Sequence, residues 1–167
     1  RLHKKIIEKY DECWIPDIEE NGGLSGDLSH KYPLPKNAKF VGIFSRFSDL
    51  KDVSSNFGFD RVVVISGVEP QRTIFEKSMI EKYQYKNEKT LIIQGLPSEE
   101  NYPKKMDNIT IIPHLKDKEL ATALKGCKEI ICRAGYSTII DLRVLGCLQK
   151  AVFCPTPGQT EQEYLAE

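Results

Sequence analysis

No apolar run in this chain approaches the roughly 20 residues needed to cross a bilayer, and Lys4 and Lys5 near the amino terminus are not followed by the apolar core of a signal peptide. The chain therefore reads as soluble. Net charge is absent too: 24 Lys and Arg balance 24 Asp and Glu, and no basic run alternates with aromatics, so the electrostatic footprint of a nucleic-acid binder is missing. The five cysteines (Cys13, Cys127, Cys132, Cys147, Cys154) form no C-x-x-C pair and no Cys/His ligand spacing, which argues against a metal site and for reduced, buried thiols in a cytoplasmic protein. There is no D-x-D triplet to hold a divalent cation, no internal repeat and no low-complexity tract. These absences leave a site for a small molecule as the favoured reading.

The chain is 167 residues long, enough for one α/β domain that buries its own core but short for two. Both ends look cut: the first residue is Arg1, and Glu167 falls inside a helix expected to begin near Thr160. We expect a fragment.

Leu2, Ile6 and Tyr10 recur at helical spacing, a brief apolar stretch follows at Cys13 to Ile15, and Asn21 to Asn37 reads as a linker rich in glycine and proline. Beyond it the pattern alternates. Strands are expected at Lys39 to Ile43, Arg61 to Ile65, Leu91 to Ile93, Ile109 to Ile112, Glu129 to Cys132 and Lys150 to Cys154, with a polar loop containing Pro97 and Pro103 between the third and fourth. Helices are expected at Pro70 to Tyr83, Asp117 to Lys125 and Ser137 to Leu145. Strands alternating with helices predict a parallel, Rossmann-like α/β sheet covered on both faces, spanning residues 38–167, with residues 1–37 as a separate lead-in. Ligands of such sheets bind at the carboxyl ends of the strands.

Three loops at that rim carry candidate chemistry. In Ser66 to Arg72, Gly67 permits a sharp turn and Pro70 suits a helix start, so free amides and Arg72 would face an anion; an ordinary turn with a solvated arginine is the alternative. In Cys132 to Asp141, Gly135 allows close backbone approach, Ser137 and Thr138 bring hydroxyls to a helix start, and Asp141 is placed to accept hydrogen bonds from ribose hydroxyls. Thr138 and Asp141 forming a capping-box-like pair is the rival reading. In Pro155 to Glu163, Gln162 and Glu163 would face the cleft, or merely cap the last helix. His114, after the fourth strand of the alternating part, reads as structural or solvated rather than as a catalytic base.

The segment Arg133-Ala134-Gly135-Tyr136-Ser137-Thr138, with Asp141 following, resembles the donor-binding half of the GT-B glycosyltransferases related to the peptidoglycan N-acetylglucosaminyltransferase that makes lipid-linked intermediates. The resemblance covers most of the chain from Val41 onward. It implies diphosphate contacts from Arg133 through Thr138, ribose contacts from Asp141, base contacts from the main chain of His114 and Leu115, and sugar contacts from Gln162 and Glu163. The family's glycine-rich turn falls on Ser66 and Gly67, where Val68-Glu69-Pro70 replace its second glycine; Asp141 stands where the family more often has glutamate, and Thr160-Glu161 depart from its usual pair.

The resemblance further implies transfer from a nucleotide-diphosphate sugar, a uridine one foremost, to an acceptor hydroxyl with inversion and without metal or cofactor. Residues 1–37 would then be the end of an acceptor domain and the interdomain crossing. Catalytic residues stay unassigned, and this chain alone would bind donor without transferring sugar. The full-length protein would work in the cytoplasm, with peripheral association at the inner face of the membrane left open. A sugar-nucleotide epimerase or hydrolase of the same fold, and a non-catalytic donor-binding subunit of a two-part transferase, are the rival functions.

Overall fold

The structure is a computed structural model that describes residues 2–50, 53–55, 57–97 and 103–167. The chain divides into two compact units, residues 1–45 and 46–167.

The first unit contains helix α1 (Leu2–Ile7), strand β1 (Cys13–Ile15), a 3-10 turn (Glu20–Gly22), helix α2 (Asp27–His30) and strand β2 (Ala38–Phe40). β1 and β2 pair in parallel, Trp14 opposite Lys39. Here the structure departs from two expectations. The Lys39 to Ile43 strand begins one residue earlier, ends at Phe40 and belongs to this small sheet rather than to the large one; the unit boundary accordingly falls after Ser45 instead of Asn37. The expected linker is wound around Asp17, which has no exposed surface. Its carboxylate accepts hydrogen bonds from the amides of Ile18 (2.8 Å), Leu24 (2.9 Å) and Ser25 (2.9 Å) and from the Ser25 hydroxyl (2.6 Å). Burial pushes this carboxyl group up, but the Ser25 hydroxyl and the three amides outweigh it and hold the pKa at about 2. Gly23 has φ +58°, and a Cβ there would lie 2.2 Å from the carboxylate, so the wrap tolerates only glycine at that point.

The second unit is a six-stranded sheet in the order β5-β6-β4-β3-β7-β8. Its strands are β3 (Arg61–Val64), β4 (Thr90–Ile93), β5 (Lys104–Met106), β6 (Ile109–Ile112), β7 (Glu129–Cys132) and β8 (Ala151–Phe153). All neighbours pair in parallel except β5, an antiparallel edge strand inside what the sequence reads as loop; residues 98–102 of that loop lie outside the described residues. A run of three polar-flanked residues, Lys104-Lys105-Met106, has no alternation to announce a strand, and its pairing with β6 makes it one.

Helix α3 (Gln71–Tyr83) buries Phe75, Met79 and Tyr83 on one face of the sheet, with Val63, Ile92, Ile111 and Ile131 beneath. Helix α4 (Asp117–Gly126) packs Leu120, Ala121, Ala123 and Leu124 on the other face, over Val62, Leu91, Ile130 and Cys132, joined there by Leu142 of helix α5 (Tyr136–Val144). Successive residues of one strand thus feed opposite cores, which is why Val62 and Val63 are both fully buried and β3 reads as an unbroken apolar run. A short helix, α6 (Thr160–Leu165), follows β8.

The parallel strands run outward from β3 in both directions, β4 and β6 to one side and β7 and β8 to the other. The carboxyl ends of β3 and β7 therefore flank the point where the winding reverses, the place where such sheets open a crevice. No helix among the described residues is long and apolar enough to cross a membrane.

Candidate functional site

All the predicted loops of the second unit leave the same rim, because β3, β6, β7 and β8 run parallel. The loops after β3 and β7 are neighbours across the reversal, that after β8 lies beside the latter, and His114 and Leu115 follow β6, separated from β3 by β4.

After β3, Gly67 has φ +99°, a conformation that keeps glycine in the turn. Pro70 sits at the cap of α3, one position before the helix proper. The anion expected at this helix start is supplied by the protein itself. Glu69 accepts a bond from the Thr73 amide (3.2 Å) and pairs with Arg72, which also donates to the carbonyl of Gln94 (3.3 Å). Bonding to the Thr73 side chain, then to Arg72, holds the Glu69 carboxyl below its usual range. Arg72 is thereby turned onto its own loop rather than toward an open ligand position.

After β7, Arg133, expected as a diphosphate ligand, lies beneath the rim among main-chain oxygens. It is 7% exposed, its guanidinium lies 4.1 Å from the Phe75 ring centre, and it donates to the carbonyls of Pro155 (2.9 Å), Cys154 (3.1 Å) and Gln71 (3.3 Å). A long cation next to a buried strand end satisfies main-chain oxygens beneath the rim, since leaving it unpaired there would be costly. Burial lowers its pKa. Ala134 is fully buried beside it. Cys132, one residue earlier, is pushed up to about 12 by burial, which removes its thiol as a nucleophile at neutral pH.

Gly135 caps α5 at φ −80°, and a Cβ there would meet the Thr138 hydroxyl at an ordinary 3.8 Å. Its glycine is thus not demanded by conformation. No side chain caps this helix, so the Thr138–Asp141 capping pair is not formed. The first helical bond runs from the Ile139 amide to the Gly135 carbonyl (3.1 Å), which leaves the amides of Ser137 and Thr138 without an intrahelical acceptor at the positive end of the helix dipole. Tyr136 and Thr138 are half-buried and Ser137 is exposed.

Asp141 lines a small, mostly apolar cavity of about 40 Å³ together with Arg46, Thr138, Val64 and Cys132 and with Leu120, Leu124, Ile130 and Leu142 of the α4-side core. Its carboxylate, 15% exposed, accepts a 3.0 Å bond from Nε of Arg46. The same guanidinium approaches Asp117 at the start of α4 (3.5 Å) and lies over the Phe47 ring, while half of the side chain remains exposed. Arg46 is the cation that sequence reasoning missed. It lies 95 residues from Asp141 in a segment with no periodicity, so no local pattern marks it.

Gly95 was missed as well. It has φ +71°, and a Cβ would stand 2.7 Å from the Ile65 carbonyl, so β4 leaves the sheet in close contact with the β3 exit. A glycine ending an apolar strand was the available signal.

After β8, Gln162 and Glu163 turn back instead of facing the cleft. The Gln162 carboxamide accepts the Thr156 amide (2.9 Å) and pairs with Gln159, and Glu163 accepts the Gly158 amide (3.3 Å). A loop with Pro155 and Pro157 offers few partners of its own kind, and these side chains supply them. His114 is half-buried with Nδ1 unpaired, and Leu115 packs onto the α4 core. No group of three or more potential metal ligands occurs among the described residues. Comparison with protein-family models, curated proteins and solved structures found no match to this chain.

Proposed function

We propose that the second unit is the nucleotide-sugar-binding half of a glycosyltransferase of the GT-B type, with a uridine-diphosphate sugar as donor. The observation that carries this reading is the juxtaposition of Arg46, Asp141 and the open start of α5 at the winding reversal between β3 and β7. A nucleoside diphosphate presents two chemistries to such a crevice. Its ribose hydroxyls donate to a carboxylate, the role of Asp141, and its phosphates seek amide donors and a cation, the roles of Ser137, Thr138 and Arg46.

When the sugar leaves the donor, negative charge grows on the diphosphate, and oriented amides with a fixed guanidinium stabilise it without reorganising. The acceptor hydroxyl attacks the anomeric carbon and gives its proton to a base of the acceptor domain, the bond to the phosphate oxygen breaks with its electron pair, and the product is inverted. Arg133 and Arg72 enter this reading as supports of the rim. The first unit is the end of an acceptor domain, and the acceptor chemistry belongs to the full-length protein.

A thermal-shift series with UDP, other nucleoside diphosphates and UDP-sugars tests the reading, since a ligand of the native state must raise the melting temperature. UDP at millimolar levels is expected to stabilise the second unit, and Arg46→Ala and Asp141→Ala each to weaken binding by about tenfold, the loss of one charge-assisted contact. Arg72→Ala should leave affinity nearly unchanged. The absence of any shift with every nucleoside diphosphate would sink the proposal.

A further inference from the structure

A cavity of about 710 Å³ lies on the α4 face of the outer strands and extends up to Leu115 beyond the end of β6. Side chains alternate across a sheet, and the register fixes which ones form this floor. Leu91 of β4 and Ile112 of β6 belong to the α4-side core, while Ile109 and Ile111 belong to the other. Thr110 shares the face of Ile112, and Lys105, paired with Thr110, shares it too. Lys89 precedes β4 by one residue, two before Leu91, and joins the same face.

Helix α4 covers the inner strands here, and the trough over the outer ones is walled by the tilted ring pair Phe57 and Phe59, 5.3 Å between centres. Its lining mixes two chemistries: aromatic and aliphatic side chains, among them Phe57, Phe59, Leu91 and Ile112, and two lysines, Lys89 and Lys105. Neither ammonium lies within salt-bridge distance of a carboxylate among the described residues; Lys89 interacts at longer range with Asp60, whose carboxylate is already paired with Lys128 (2.8 Å). Asp107 in the same lining offsets one of the two charges.

We infer that this trough is a binding site for an amphipathic monoanion, with an apolar body against Leu91, Ile112 and the phenylalanine pair and an anionic head between Lys89 and Lys105. The volume lies inside the range of about 300–1,000 Å³ that small-molecule sites occupy. Apolar burial supplies affinity, and the net single positive charge selects the sign of the head group.

Decanoate is the probe, titrated by calorimetry and by thermal shift. One saturable site is expected, with decanol and decyltrimethylammonium binding more weakly. Lys89→Glu combined with Lys105→Glu should weaken decanoate by about tenfold or more with no change in melting temperature, since both side chains are exposed. Thr110→Trp, which fills the trough without removing charge, should abolish binding. Pelleting with phosphatidylglycerol vesicles that the double variant loses would identify a lipid as the source of the anion, and decanoate binding without pelleting a soluble one. Failure of decanoate to bind, equal binding of the cationic analogue, or indifference to both variants would overturn the inference.

Discussion

The two units solve the problem of holding a chain together in opposite ways. In residues 46–167 two apolar cores sandwich a sheet, and the fully buried side chains are mostly isoleucine, valine and leucine. In residues 1–45 no apolar side chain among the described residues is fully buried; the buried residues are Asp17 and Ser25. Ile6, Tyr10, Trp14, Ile18, Leu28, Tyr32 and Phe44 are all exposed there. One unit is organised by area removed from water, the other by a carboxylate that collects amide and hydroxyl donors. A fold held by a polar nucleus depends on single atoms, whereas one held by area tolerates their loss.

The sharpest way to break this contrast is Asp17→Ala. It strips the acceptor from the amides of Leu24 and Ser25, a loss of about 3 kcal/mol for the first unit. Hydrogen exchange at those amides should accelerate while that of β3 and β4 stays unchanged, and equal acceleration in both units would show that they are not separately held. In the second unit Gly95→Ala forces a Cβ against the Ile65 carbonyl at positive φ, and about 2 kcal/mol is expected in denaturant unfolding. A melting point unchanged by this substitution would mean that the β4 exit yields more easily than its geometry implies.

Acid sharpens the comparison further. The Asp17 carboxyl is depressed from 3.8 to about 2, so its contribution is complete above pH 3.8 and disappears as pH falls toward 2. The difference is worth about 2.4 kcal/mol at most. Exchange protection of Leu24 and Ser25 should therefore decline between pH 4 and pH 2 and hold level above it; a decline beginning near pH 6 would assign the effect to another group.

The second unit was legible in the sequence because its signals are local. Phe75, Met79 and Tyr83 mark the buried stripe of α3 by spacing alone, and Val62 to Val64 mark a strand covered on both faces. The first unit was not, since nothing near Asp17 says that eight residues of glycine-rich chain will close around it. β1 and β2 pair across more than 20 residues, and parallel pairing leaves no short-range trace. At the candidate site the loops were legible and the side-chain directions were not. Arg133 and Arg46 are both arginines near a strand end or domain entry, yet one is spent on carbonyls and the other stands half exposed beside Asp141. That choice depends on which oxygens the fold leaves unpaired, information that spacing does not contain.

Arg133 has a mechanical consequence. By holding the carbonyls of Cys154 and Pro155 on one side and of Gln71 on the other, it ties the exit of β8 and the entry of α3 to the end of β7. The rim behaves as a braced frame: a push on one loop is shared by its neighbours, and the entropy of aligning them has been surrendered during folding, before any ligand arrives.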